Sequence, residues 1–252
     1  MEKKIFEPAR LGNLELKNRL IRSATWRGLA DEAGHIPNEL CDIYEEFARG
    51  GVGAIVTGFT SASDNAQYID GAVRISNDAL IEDHRRLTDI CHAHGCPILV
   101  QTALGEYNRL KDGRFERNVS IDALTHEDIA AIRELFVSAA VRAKEAGYDG
   151  VQVHAAHGFF LSRFVSPAFN HREDAYGGST QNRARLVTEI IGEIRRRVPG
   201  LHVSMKMNCS DFMPAGQRPD QALAFARLCE QAGVESIEVA ATEPRLREFG
   251  RA

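Results

Sequence analysis

The chain has 252 residues, 44% hydrophobic and 26% charged, with a formal net charge of −4 at neutral pH. This suits a globular fold with a sizeable core, and the mild acidity offers no electrostatic case for nucleic acid or an anionic membrane as partner, which leaves small molecules. No run of about 18 apolar residues occurs, and the opening MEKKIFEPARLGNLELKNRL lacks an apolar h-region, so neither a membrane span nor export is expected and the reading is cytoplasmic.

Taken in chain order, the first expected strand is NRLIRSA, near residues 19–24. ARGGVGAIVTG (48–58) reads as a helix tail, a Gly suited to the left-handed position after a helix, and a β-branched apolar run, giving a strand near 53–57. CHAHGCPILVQT (91–102) repeats the unit with a strand near 97–101. LGEYNRLKDGRFERNVS (104–120) is a polar excursion, read as a loop insertion. THEDIAAIRELFVSAAVRAKEAG is an amphipathic helix in which Thr125 caps, Asp128 completes a capping box, and Ile129, Ile132, Phe136 and Val137 share a face. AKEAGYDGVQVHA (143–155) brings a strand near 150–154. STQNRARLVTEIIGEIRRRV starts with Ser179 as cap and carries Leu186, Ile190, Ile191 and Ile194. Strands near 201–207 (in IRRRVPGLHVSMKM) and 235–239 (in CEQAGVESIEVAA) follow, before the end TEPRLREFGRA.

Apolar strands without alternation, each preceded by a helix, imply a parallel sheet covered on its outside, an α/β fold. Thr25, Thr57, Gln101, His154 and Lys206 fall at strand C-terminal ends, as in a (β/α)8 TIM barrel, where the loops holding the chemistry converge. A doubly wound sheet would instead show a Gly-rich turn after its first strand, and no GxGxxG occurs. One partial barrel domain over 1–252 is expected, with about six of eight units present.

His154 ends a strand and His157 follows three residues later, so both imidazoles can point at one spot and donate to a single oxygen; the alternative is that one packs against Phe159 and Phe160. Metal ligation is disfavoured: no carboxylate or third His lies at a suitable local spacing, and the five cysteines form no CxxC pair. Gln101 can donate and accept at the edge of a planar heterocycle, or simply finish a strand. Lys206 is a cation in an apolar strand and calls for an anion, either a ligand or a carboxylate such as Asp211. In NHREDAYGGSTQNRARL (170–186), loop ordering by Arg172, Asp174 and Arg183 is preferred over phosphate binding at a helix N-terminus.

IFEPARLGNLELKNRLIRSAT, GGVGAIVTG, HAAHGFFLSRFVSP, DAYGGSTQNRARL and KMNCSDF together resemble the old yellow enzyme family of FMN-dependent NAD(P)H oxidoreductases, over residues 5 to about 240. The resemblance implies a TIM barrel with FMN across its C-terminal mouth. It places Ser23, Ala24 and Thr25 against the flavin, Gly58 beside it, Gln101 on its pyrimidine edge and Lys206 near its N1/O2 region. His154 and His157 would hold a substrate carbonyl while hydride from NAD(P)H reaches, through FMN, an electron-poor acceptor such as an activated alkene, a quinone or a flavin. Phe159 stands where many relatives carry a proton-donating Tyr, and Trp26 where many carry Thr or Cys. The family also grips FMN phosphate after its seventh and eighth strands. A chain of six units would leave open edges at 20–24 and 235–239, which implies a truncated gene, a proteolytic remainder, or a short form completed by a second copy or another chain. The competing reading is a catalytically silent fragment or assembly module.

Overall fold

The computed structural model describes residues 3–65, 69–111 and 114–241, and the terminal stretch TEPRLREFGRA, 242–252, lies outside them. Two antiparallel strands, β1 (Ala9–Leu11) and β2 (Leu14–Leu16), precede the first parallel strand, β3 (Ile21–Arg22). Helix α1 (Asn38–Arg49) leads into β4 (Ala54–Val56). The short strands β5 (Thr60–Ser61) and β6 (Val73–Arg74) follow, and α2 (Ile81–Ala93) leads into β7 (Ile98–Ala103). Strands β8 (Arg109–Lys111) and β9 (Arg114–Glu116) form a hairpin, and α3 (His126–Glu145) feeds β10 (Gly150–Ala155). Helices α4 (Phe160–Val165) and α5 (Thr180–Arg197) feed β11 (His202–Asn208), and α6 (Pro219–Gln231) feeds β12 (Ser236–Ala240).

Local chemistry sets these boundaries. Thr125 Oγ1 accepts from the Asp128 amide at 3.1 Å while the Asp128 carboxylate accepts from the Thr125 amide at 2.9 Å, the expected capping box of α3. Ser179 caps α5 with a single bond, its hydroxyl accepting from the Asn182 amide. Beyond α3 and α6 the chain reverses through Gly147 and Gly233, whose φ of 89° and 102° a side chain would resist.

Six strands lie parallel in the order β12-β11-β10-β7-β4-β3, with β3 and β12 at its ends and the β5–β6 pair added beside β7. This is an incomplete (β/α)8 barrel. Its outward side chains, among them Ile98, Val100, Val151, Val153, Val203 and Met205, pack under the helices as the main core. Its inward positions form layers across the strands: Val56, Leu99, Gly150 and His202 lowest, then Gln101, Gln152, Ser204 and Ser236, then His154, Lys206 and Glu238. Leu14 and Leu16 of the hairpin pack on Ala54, Val56 and Leu99 and plug the N-terminal end. Among the described residues no helix is long and apolar enough to cross a membrane.

Two expectations need correction. The first strand is shorter than 19–24, because only Ile21 and Arg22 pair with β4, while the Ser23 side chain leaves the ladder to bond Glu238 at the far end of the sheet. The polar excursion at 104–120 contains the β8–β9 hairpin, in which Arg109 meets both Glu116 and Asp128 at 2.7 Å and so ties the hairpin to α3.

Candidate active site

The upper two inward layers hold three of the residues singled out in the sequence, Gln101, His154 and Lys206. Gln101 and Gln152 face one another across β7 and β10, and the Gln101 amide donates to Gln152 Oε1 at 2.7 Å. One layer higher, His154, Lys206 and Glu238 stand in register on β10, β11 and β12.

His157 follows in the loop after β10, with its imidazole centroid 5.2 Å from that of His154. The loop reaches this geometry through positive φ at two successive residues, 60° at His157 and 77° at Gly158. A non-glycine residue in that region carries a conformational cost of about 1 kcal/mol or more, which its surroundings must offset. They do so with hydrogen bonds: the His157 amide donates to Asn208 Oδ1 at 3.0 Å and the Gly158 amide to Ser162 Oγ at 2.9 Å. The packing alternative is present in part, since His154 lies 4.5 Å from the Phe159 ring, which in turn packs edge-on against Phe59.

Both imidazoles are held neutral. Burial drives the His154 pKa well below the usual value, helped by His157 and by the charge of Lys206; burial and Lys206 lower His157 as well. Neutral rings each carry one N–H, so the pair can donate to an oxygen without bringing positive charge. His154 Nδ1 is buried and has no hydrogen-bond partner among the described residues. A buried ring nitrogen left without a partner costs about 1–3 kcal/mol, an expense natural sites carry where a ligand completes the bond.

The anion facing Lys206 within the chain is Glu238, at 2.8 Å, and not Asp211. Asp211 is spent on its own loop, accepting from the Gln217 amide and from Asn208. Lys206 also donates to Ser23 Oγ at 3.0 Å. Ser23 thus lies beside Lys206 and Glu238, and Ala24 is partly buried against the inward cluster that includes Val56 and Leu99. Thr25 is exposed and receives the Arg22 guanidinium at 2.7 Å. Gly58 sits where strand ends crowd: a Cβ there would stand 2.6 Å from the Thr25 carbonyl, and its amide donates to Tyr44. Trp26 is 45% exposed. Arg172, Asp174 and Arg183 order their loop, with Arg172 bound to Asp174 and to the Ile121 and Leu124 carbonyls and Arg183 to Val165 and Gly178.

The structure adds Gln152, Asn208 and Glu238 to the residues expected. Gln152 had a signal in the sequence, since it precedes His154 by two on the same strand face. Glu238 had a weaker one, a carboxylate in the middle of an apolar strand. Together the layers offer a buried cation paired with Glu238 and an amide pair that a planar heterocycle could meet, with the two imidazoles left for the oxygen of a second ligand. Among the described residues no group of three or more His, Cys, Asp or Glu could hold a metal ion.

The profile of a family described as NADH:flavin oxidoreductase / NADH oxidase matches residues 4–243. A metal reductase of Desulforamulus reducens is 32% identical over 93% of this chain, which spans 37% of that protein's length. An NADPH dehydrogenase of Halalkalibacterium halodurans is 30% identical over 94% of the chain, which spans 73% of it. An old yellow enzyme homologue from Zymomonas mobilis superimposes with a TM-score of 0.81 at 22% identity, over 94% of this chain and 73% of that one.

Proposed function

The chain belongs to the NADH:flavin oxidoreductase / NADH oxidase family, and from that premise we propose that it forms the catalytic mouth of an FMN-dependent oxidoreductase that takes electrons from NAD(P)H and passes them to a small electron-poor acceptor. The observation that carries this reading is the buried His154 nitrogen without a partner, set beside His157 and one strand from Lys206.

When bound, FMN would accept hydride from NAD(P)H and return it to the acceptor. The chain's part is to bind, orient and polarise. Gln101, braced by Gln152, would bond the pyrimidine edge of the ring; Lys206 would stabilise the negative charge of its reduced state; Ser23, Ala24 and Thr25 would line it, with Gly58 beside it. His154 and His157, neutral and converging, would donate to the acceptor's carbonyl oxygen as charge develops there. Phe159 has no proton to give, so an alkene acceptor would draw its proton from water. A quinone or a second flavin would not need that proton delivered to carbon, and we place these ahead of alkenes as acceptors.

The test is the visible spectrum of the purified protein before and after denaturation, followed by anaerobic titration with NADH and NADPH. Stoichiometric FMN that either nucleotide bleaches is the expected result. A protein that neither carries nor takes up FMN refutes the reading and favours the catalytically silent module.

A further inference from the structure

Glu238 ends a chain of hydrogen bonds that crosses the barrel interior. Its Oε1 accepts from Ser23 Oγ at 2.6 Å and lies 2.8 Å from the Lys206 ammonium, which itself bonds Ser23. Its Oε2 accepts from the Gln152 amide at 3.1 Å, and Gln152 Oε1 accepts from Gln101 at 2.7 Å. One carboxylate therefore touches both arms of the proposed flavin site, the cation on one side and the amide pair on the other.

The direction of this relay follows from hydrogen-bond chemistry. An ionised carboxylate only accepts, so the end of Gln152 that faces it must be the NH2 group. The Gln152 carbonyl is then turned toward Gln101 and takes one N–H of its amide, which leaves the second N–H to a ligand. Two glutamines by themselves could be reversed together at little cost; the carboxylate removes that choice. Glu238 is held ionised for the purpose: burial pushes its pKa up, but hydrogen bonds from Lys206, Ser23 and Gln152 and the charge of Lys206 outweigh it and leave it below the ordinary carboxylate value. The same carboxylate offsets the charge of Lys206, whose side chain is only 9% exposed and so poorly screened by water.

We propose that Glu238 is a positioning residue that fixes the polarity of the Gln101–Gln152 pair and, by sharing the charge of Lys206, lowers the reduction potential of FMN held at this mouth. The proposal rests on the function inferred above. Its direction is set by charge, because removing a negative group beside the flavin makes the extra electrons of the reduced state easier to accept.

The experiment compares the FMN-loaded protein with Glu238→Gln by dye-equilibrium potentiometry, with FMN affinity measured by fluorescence quenching. Glu238→Gln should favour the reduced state about tenfold, a rise of about 30 mV for a two-electron couple, and should weaken FMN binding through the ambiguous amide relay. Lys206→Met should move the potential the opposite way, and in that background, where the half-buried carboxylate loses the cation that keeps it ionised, Glu238→Gln should have much less effect. Should Glu238→Gln not accumulate as folded protein, Ser23→Ala loosens the same carboxylate while keeping both charges, and should raise the potential by a smaller amount. Bound FMN with an unchanged potential in these variants, or an undiminished shift in the Lys206→Met background, overturns the inference while leaving the function standing. Failure of the unaltered protein to take up FMN overturns the function and this inference with it.

Discussion

His84, on α2 under the helical layer, and His154, at the barrel mouth, are buried alike, 1% and 2% exposed, and burial keeps both neutral. They differ in what surrounds their nitrogens. His84 Nε2 faces the Arg74 carbonyl at 2.9 Å, which can only accept, so that nitrogen carries the proton and Nδ1 accepts from Tyr148 Oη at 2.8 Å. His202, at the bottom of the barrel, is satisfied in the same way by Asn13 and Ser236. At His154, Nδ1 has no partner among the described residues. Burial of a histidine therefore does not mark a site; an unfilled hydrogen-bonding position points to one only in company, since among the described residues Thr102 Oγ1 is buried and unpartnered too, and at His154 the company is His157 and Lys206.

The most severe way to test this contrast is His84→Ala. It empties ring volume from a closed core and strands the buried Tyr148 hydroxyl, so we expect a loss of about 4 kcal/mol in urea unfolding. Ligand binding at the mouth should be unchanged wherever the variant stays folded. A loss below about 1 kcal/mol would show that the His84–Tyr148 pair stabilises little.

Acid should find the same residue. Its pKa, lowered from 6.5 to about 4 by burial, means that between those values the unfolded chain binds a proton the native chain refuses. Stability is therefore fully present above pH 6.5 and falls as pH drops toward about 4, by about 3 kcal/mol from this group alone. His202 and His154, also lowered, add in the same direction. Asp174, held down chiefly by Arg172, acts only at lower pH, below the ordinary Asp value of 3.8. Urea midpoints from pH 8 to 4 should trace this limb, and His84→Gln should make it shallower; an equal slope in that variant would assign the acid sensitivity elsewhere.

The contrast was only half legible in the sequence. Helix-then-strand punctuation, with Gly147 and Gly233 closing helices, made the parallel sheet readable and put Gln101, His154 and Lys206 at strand ends; in the structure the strands run on past them, β7 to Ala103, β10 to Ala155 and β11 to Asn208. What could not be read was cross-strand register. Gln152, Lys206 and Glu238 meet because β10, β11 and β12 align residue against residue, and Ser23 reaches Glu238 across 215 positions of chain. Local patterns contain no such information, so Asp211, near in sequence, looked a plausible partner for Lys206. The β8–β9 hairpin is a different kind of miss: Asp112-Gly113 is a strong hairpin signal, but the surrounding charge made the segment look like a loop.

A gentler probe of the mouth is His157→Gly. Glycine accepts the φ of 60° at that position, so stability should change by less than about 1 kcal/mol. Loss of the imidazole should still weaken a phenolic ligand over the bound flavin by about 2 kcal/mol, read by titrating its charge-transfer absorbance. If affinity holds, the two rings do not act together on one oxygen.

The smallest expected effect discriminates best between the two histidines. His154→Leu replaces a desolvated imidazole lacking one hydrogen-bond partner with an apolar side chain of similar bulk, in contact with Phe159. Removing an unsatisfied buried polar atom recovers its desolvation cost, so the variant should be as stable as the unaltered chain or more stable by about 1 kcal/mol, while binding of the phenolic ligand is lost. Leucine at position 84, by contrast, would strand Tyr148 and destabilise. The two substitutions are chemically identical, and only the partners differ. If both destabilise equally, His154 is a structural residue like His84, and the case for the mouth would have to rest on His157 and Lys206 alone.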